Sequence, residues 1–279
     1  MKAGLFGINM NDLAEPELAG KVAQAAEQAG FDSLWTGEHV VLPDPQEPPS
    51  PAPPQTNMVH PSTMLSFLAA HTKHIKLGTG ITLVAQRNPV VLAKEMASLD
   101  YLSGGRLLFG IGAGYLHQEF AALGVDFASR GPRTDEYIDA MRELWTADKP
   151  SFQGNYVNFS GIDAQPRPKQ AGGPPVIVGG ASPAALRRAV THGNGWYGFA
   201  MDVKTTEQVL ERLQLTLARY DRPDHLGELE ISITPPKPPT QDMAQQYEQA
   251  GVHRIIPMLG FYNADTVLPA LDTLASTLL

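Results

Sequence analysis

Three short stretches of the 279-residue chain hold side chains whose type and spacing could do chemistry. Glu38-His39 sets an acid beside the residue whose ordinary titration range spans neutrality, so His39 can exchange a proton with a substrate or hydrogen-bond a cofactor. A histidine next to an acid also serves structural ends, and the residues alone leave both readings open. Val176-Ile177-Val178-Gly179-Gly180-Ala181-Ser182-Pro183 reads as a buried strand, two glycines and a helix start. Glycines let backbone approach an anion, and a helix start offers free amides and the positive end of a dipole, which is a phosphate site in form. A tight turn needing glycine only for its torsions has the same spelling. Gly110-Ile111-Gly112-Ala113-Gly114-Tyr115 resembles a dinucleotide fingerprint but lacks the third glycine at the required spacing. It reads instead as a strand running into a loop opposite a flat ligand.

What is missing narrows the chemistry further. There is no cysteine, so thiolate catalysis, disulfides and cysteine-ligated metals are excluded. His60, His71, His74, His117, His192, His225 and His253 show no metal-ligand spacing, and no metal is expected. No lysine falls convincingly at a strand end for Schiff-base work, which disfavours a cofactor-free aldolase.

These residues need a scaffold, and the apolar runs supply one. Strand-like segments at 2–8, 31–37, 75–84, 106–112, 175–180, 195–200, 229–234 and 254–259 alternate with helical patterns, the signature of repeated βα units. Eight such strands close a single (β/α)8 TIM barrel over residues 1–279, in which catalytic groups gather where the strands end. Glu15-Pro16-Glu17 opens one helix and Ala29-Gly30 closes it; Ser182-Pro183-Ala184 places a capping serine and a proline at another helix start. Two segments depart from the repeat. The proline-dense stretch within 40–60 makes an extended loop on the expected active-site face, and 151–174 begins with Phe152-Gln153-Gly154-Asn155-Tyr156, which reads as an inserted hairpin.

A net charge of -8 repels phosphate backbones and anionic lipid, so neither nucleic acid nor membrane is an expected partner. The start, Met1 to Asn9, is too soon interrupted to be a secretory signal, and no stretch nears the roughly 18 apolar residues of a membrane helix. A soluble, cytoplasmic protein acting on a small molecule is the expectation.

Arg87-Asn88-Pro89-Val90-Val91-Leu92-Ala93-Lys94-Glu95, Leu99-Asp100-Tyr101-Leu102-Ser103-Gly104-Gly105-Arg106 and Gly110-Ile111-Gly112-Ala113-Gly114 follow one another in order, then Glu119-Phe120, Arg133-Thr134-Asp135-Glu136-Tyr137 and Gly179-Gly180. Across nearly its whole length the chain resembles the luciferase-like flavin monooxygenase superfamily, most closely the branch using the deazaflavin coenzyme F420. The resemblance implies an oxidoreductase with His39 facing the reactive edge of the ring. It also implies a non-prolyl cis peptide at Gly80-Ile81 in a bulge beneath that ring, and cofactor contacts from Gly80, Ile81, Leu83, Gln118 and Val178. Gly179, Gly180, Ala181 and Ser182 match the family's phosphate loop. One position departs: where a deazaflavin-dependent sugar-phosphate dehydrogenase of the superfamily has a catalytic glutamate, this chain has Tyr115. Substrate choice is assigned to the 40–60 and 151–174 loops, and a homodimer formed through outer-wall helices is implied. FMN is the alternative cofactor; relatives often hold its phosphate dianion with an arginine near the loop after the fourth strand, and Gly114-Tyr115-Leu116 offers none. The singly charged phosphodiester of F420 suits a glycine-rich helix start. Arg187 and Arg188 then either meet its acidic tail or stand as solvated helix residues. FMN monooxygenation, or flavin binding without turnover, are the competing functions.

Overall fold

The computed structural model describes residues 1–279. Eight parallel strands close a ring: β1 (Lys2–Phe6), β2 (Ser33–Thr36), β3 (Lys76–Thr79), β5 (Leu107–Gly112), β8 (Val176–Gly179), β9 (Gly195–Phe199), β10 (Glu230–Thr234) and β11 (Arg254–Ile255). The circle is continuous in register, with Leu5 opposite Leu34, Leu34 opposite Leu77, Leu77 opposite Leu107 and Ala3 opposite Ile255. Because neighbouring side chains on a strand point to opposite faces, each strand fills two cores at once. Phe6, Trp35, Leu108, Ile177, Tyr197 and Ile256 fill the barrel, where the Trp35 and Tyr197 rings stack at 5.8 Å. Leu5, Leu34, Leu77, Leu107, Val176, Val178, Ile231 and Ile233 face the helices outside.

The outer layer is α1 (Pro16–Ala29), α2 (Pro61–His71), α3 (Pro89–Leu102), α4 (His117–Ala122), α5 (Arg130–Thr146), α6 (Pro183–His192), α7 (Val203–Arg219), α8 (Gln241–Gln249) and α9 (Val267–Leu278). Their ends obey local signals. Gly30 stops α1 in a left-handed conformation at φ 96°, which a residue without Cβ adopts freely. Asn88 accepts from the Val90 and Val91 amides, and Ser182 from the Ala185 amide, each just ahead of a proline in the first turn. None of these helices is long and apolar enough to cross a membrane.

The apolar run at 75–84 is not one strand. It breaks at Gly80-Ile81, whose peptide bond is cis, and resumes as β4 (Thr82–Leu83) paired with Ile111 and Gly112 of β5. The break gives this strand end a bulge, which turns the Ile81 side chain over the barrel mouth. Beyond α5, β6 (Phe152–Gln153) and β7 (Asn158–Phe159) form an antiparallel hairpin. Its turn is held by Glu136 of α5, whose carboxylate accepts from the amides of Asn155, Tyr156 and Val157.

Candidate active site

The loops leaving the carboxyl ends of the strands converge on His39, three residues beyond β2. Asn9, fully buried at the exit of β1, fixes the approach: its side chain donates to the Gly37 and Val59 carbonyls at 2.9 and 2.6 Å and accepts from the Gly37 amide at 2.9 Å. The peptide around His39 is then clamped on both sides. The His39 amide donates to Met58 Sδ at 3.1 Å, and the Val40 amide donates to Glu119 Oε1 at 2.7 Å.

Glu119 enters from α4 and is fully buried. Its Oε2 lies 3.4 Å from His39 Nδ1, and on the other edge of the ring Tyr115 Oη lies 3.5 Å from His39 Nε2. The Tyr115 ring meets the imidazole edge-on, and its side chain opens to solvent. Burial alone would push the Glu119 carboxyl up, but His39, Gln86 and the Val40 amide outweigh it and hold it below the usual carboxylate range. Burial, then the Glu119 charge, push the Tyr115 hydroxyl up. Glu38 points the other way, into a buried pair in which Arg87 Nη2 approaches its Oε1 to 2.6 Å, and Arg87 also reaches His60 Nε2 at 3.4 Å. Each of the two acids near His39 therefore has its own partner. The adjacent Glu38 serves Arg87, and the distant Glu119 serves His39.

At the same mouth, Ile81 lies over two strand-end glycines. A Cβ at Gly112 would overlap the Ile81 Cδ1 methyl, and one at Gly179 would sit 2.7 Å from it, so only glycine lets this side chain lie flat between β5 and β8. Leu83 packs beside Gly112 and Gly114, below the same shelf. Next to it, Gly180 turns the chain at φ 104°, and the Ala181 and Ser182 amides at the start of α6 have no acceptor in the protein. Shelf and turn thus form an apolar floor beside a helix start whose free amides could take an anion.

His39, Gly80, Ile81, Gly179, Gly180, Ala181 and Ser182 thus share one face. Val178 and Gln118 stand apart from it. Strand alternation turns the Val178 side chain into the layer beneath the helices, and Gln118 is exposed on α4 while the next residue, Glu119, turns inward. The electrostatics also differ from the sequence reading. Arg130 of α5 donates through Nε to the Gly114 carbonyl at 3.2 Å, and Arg212 of α7 donates to the Ala181 carbonyl at 2.7 Å, so two cations stand by loops that carry none of their own. Arg187 and Arg188 are not free to meet a solvent-borne tail. Both pair with Asp135, at 2.6 and 2.5 Å, and Arg188 is buried.

The closed (β/α)8 barrel thus carries an acid-held histidine, a glycine-floored shelf and a helix start with free amides at the carboxyl ends of its strands. The chain belongs to the luciferase-like monooxygenase family, whose profile it matches over residues 7–276. That family comprises oxidoreductases and monooxygenases using flavin-type cofactors. An uncharacterized protein of Mycobacterium tuberculosis (strain ATCC 25618 / H37Rv) is 28% identical over 264 residues, 92% of each chain. The F420-dependent hydroxymycolic acid dehydrogenase of the same organism is 33% identical over 187 residues, 65% of this chain and 48% of its own. Among solved structures, an F420-dependent secondary alcohol dehydrogenase in complex with an F420-acetone adduct superposes with a TM-score of 0.77 at 17% identity, covering 100% of this chain and 99% of its own.

Proposed function

We propose that this protein is an F420-dependent oxidoreductase that moves a hydride between the deazaflavin and a small organic substrate, with His39 handling the accompanying proton. The observation that carries the reading is that His39, the Ile81 shelf and the free Ala181 and Ser182 amides gather at the one mouth formed by the strands' carboxyl ends. Ile81 and Gly80 would support the ring and Gly179 to Ser182 its phosphodiester. The cofactor supplies hydride chemistry when bound; the protein supplies orientation, a dry wall and a proton site. The relatives that carry F420 in their names support the deazaflavin. Arg130 and Arg212 favour a second reading, FMN, since a phosphate dianion gains more from a nearby cation than a monoanion does.

Fluorescence titration of the apoprotein with both cofactors decides between them. F420 is expected to bind at least about tenfold more tightly, a difference of roughly 1.4 kcal/mol. Submicromolar FMN binding with negligible F420 binding would reverse the cofactor, and a protein that binds neither would end the oxidoreductase reading.

A further inference from the structure

Tyr115 faces His39 Nε2, and Glu119 is a buried charge with no cation beside it except what His39 can supply. The groups around the imidazole are few. Glu119 faces Nδ1 from α4, Tyr115 faces Nε2 from the loop after β5, and Met58 Sδ caps the backbone. The Glu38–Arg87 pair and His60 lie behind, engaged with one another. Apolar side chains wall the mouth: the Phe6 and Phe199 rings lie 5.1 Å apart, and Phe199 is 46% exposed.

We propose that Glu119 is the positioning residue that holds the His39 Nδ1–H inward, leaving Nε2 to work with the Tyr115 hydroxyl as the substrate-facing end of a three-residue proton relay. The proposal rests on the oxidoreductase reading and names the group that meets the substrate oxygen. An ionised carboxylate only accepts, so the ring nitrogen beside Glu119 carries hydrogen and the other ring nitrogen presents its lone pair. The Tyr115 hydroxyl donates to that lone pair and keeps its own oxygen free for an alcohol. When an alcohol carbon is oxidised, its C–H bond breaks, and a bound deazaflavin would supply the two-electron acceptor for the hydride. The alcohol O–H proton passes to Tyr115 Oη while the tyrosine proton moves to His39 Nε2, and the C–O bond becomes a carbonyl. The imidazolium formed rests against the Glu119 carboxylate. Carbonyl reduction runs the same transfers backwards. Tyr115 in this account is a catalytic residue; Glu119 acts only through His39.

The test reads the tautomer directly, on the protein without cofactor, so its outcome is separate from the titration that decides the oxidoreductase reading. In protein labelled with 15N-histidine, with the His39 signals identified by His39→Gln, the expected result at pH 8 is Nδ1 protonated and Nε2 unprotonated. Tyr115→Phe, on a side chain 45% exposed and so compatible with folding, is expected to shift the Nε2 resonance. Glu119→Gln is expected to give a mixture of tautomers. In turnover with F420, Tyr115→Phe is expected to lower kcat about 100-fold with KM nearly unchanged. A wild-type proton on Nε2 overturns the proposal, as does a Tyr115→Phe protein whose Nε2 signal matches the wild type. Should Glu119→Gln fail to fold, those two measurements still decide.

Discussion

The Ile81 shelf makes a quantitative demand on the residue beneath it. Replacing Gly112 with alanine puts a methyl where Ile81 Cδ1 lies, with Cγ1 next at 3.3 Å and Leu83 Cδ2 at 3.7 Å. Overpacking of this kind costs about 1–3 kcal/mol, and because Ile81 is only half-buried and can lift toward the mouth, about 1 kcal/mol is expected. The lifted methyl enters the space of the ring, so binding of the ring cofactor should weaken by about tenfold. Ile81→Val removes Cδ1 alone and should itself cost about 0.5 kcal/mol, the low end for a partly buried methyl. In the double variant the alanine methyl meets Cγ1 at 3.3 Å, a tight contact that a shift of a few tenths of an ångström at half-buried residue 81 relieves. Urea unfolding of the four proteins should therefore show a double variant about 1 kcal/mol more stable than the sum of the single losses, with cofactor affinity restored. Single losses that simply add would refute the shelf geometry, since the clash would then involve something other than Cδ1.

Three further outcomes are expected. His39→Ala should lower turnover by about 100- to 10,000-fold without changing the fold, as judged by steady-state kinetics beside circular dichroism; unchanged turnover would remove His39 from the proton path. Arg254 is fully buried at the opposite end of the barrel between Asp32 and Glu230, so Arg254→Met should cost about 3 kcal/mol at pH 7. That is the low end for an orphaned pair, because Lys76 stays 3.9 Å from Asp32 and Lys2 stays 2.6 Å from Glu230. Burial alone would raise the Glu230 carboxyl, but Arg254 and Lys2 outweigh it and hold it low. Its stabilisation is thus present above the unfolded value of about 4.3 and lost as pH falls through the lowered folded value. The wild-type advantage over Arg254→Met should shrink below about pH 4; an advantage unchanged down to pH 3 would contradict the charge pairing. Finally, Glu136→Ala removes the acceptor of three hairpin amides, so hydrogen exchange at Asn155, Tyr156 and Val157 should quicken by on the order of 10- to 100-fold, from about 1.5–3 kcal/mol of lost charge-assisted bonding. Exchange that stays slow would mean the β6–β7 pairing holds the turn unaided.

The barrel and its punctuation were legible in the chain because they are written in short-range physics. Eight apolar runs at βα spacing, a glycine free to take φ 96° after α1, and a serine and proline opening α6 each act over a few residues, where torsional preference and side-chain periodicity decide. The glycine-rich start of α6 was visible for the same reason. The partners of His39 were not. The adjacent acid, Glu38, looked like its companion, yet past the end of β2 the chain turns Glu38 to Arg87, and the partner came from Glu119, 80 positions away. One signal was present: Glu119 lies three residues after Leu116 and one before Phe120, both fully buried, so helical phase placed it on the inward face of α4. The resemblance instead implied a cofactor contact at its exposed neighbour Gln118. Asn9, Arg130 and Arg212 escaped notice because each serves a loop on another element. Torsions and periodicity are properties of a segment, but a charge or a hydrogen bond finds its partner only when the ring of strands closes and brings together loops that the chain keeps far apart.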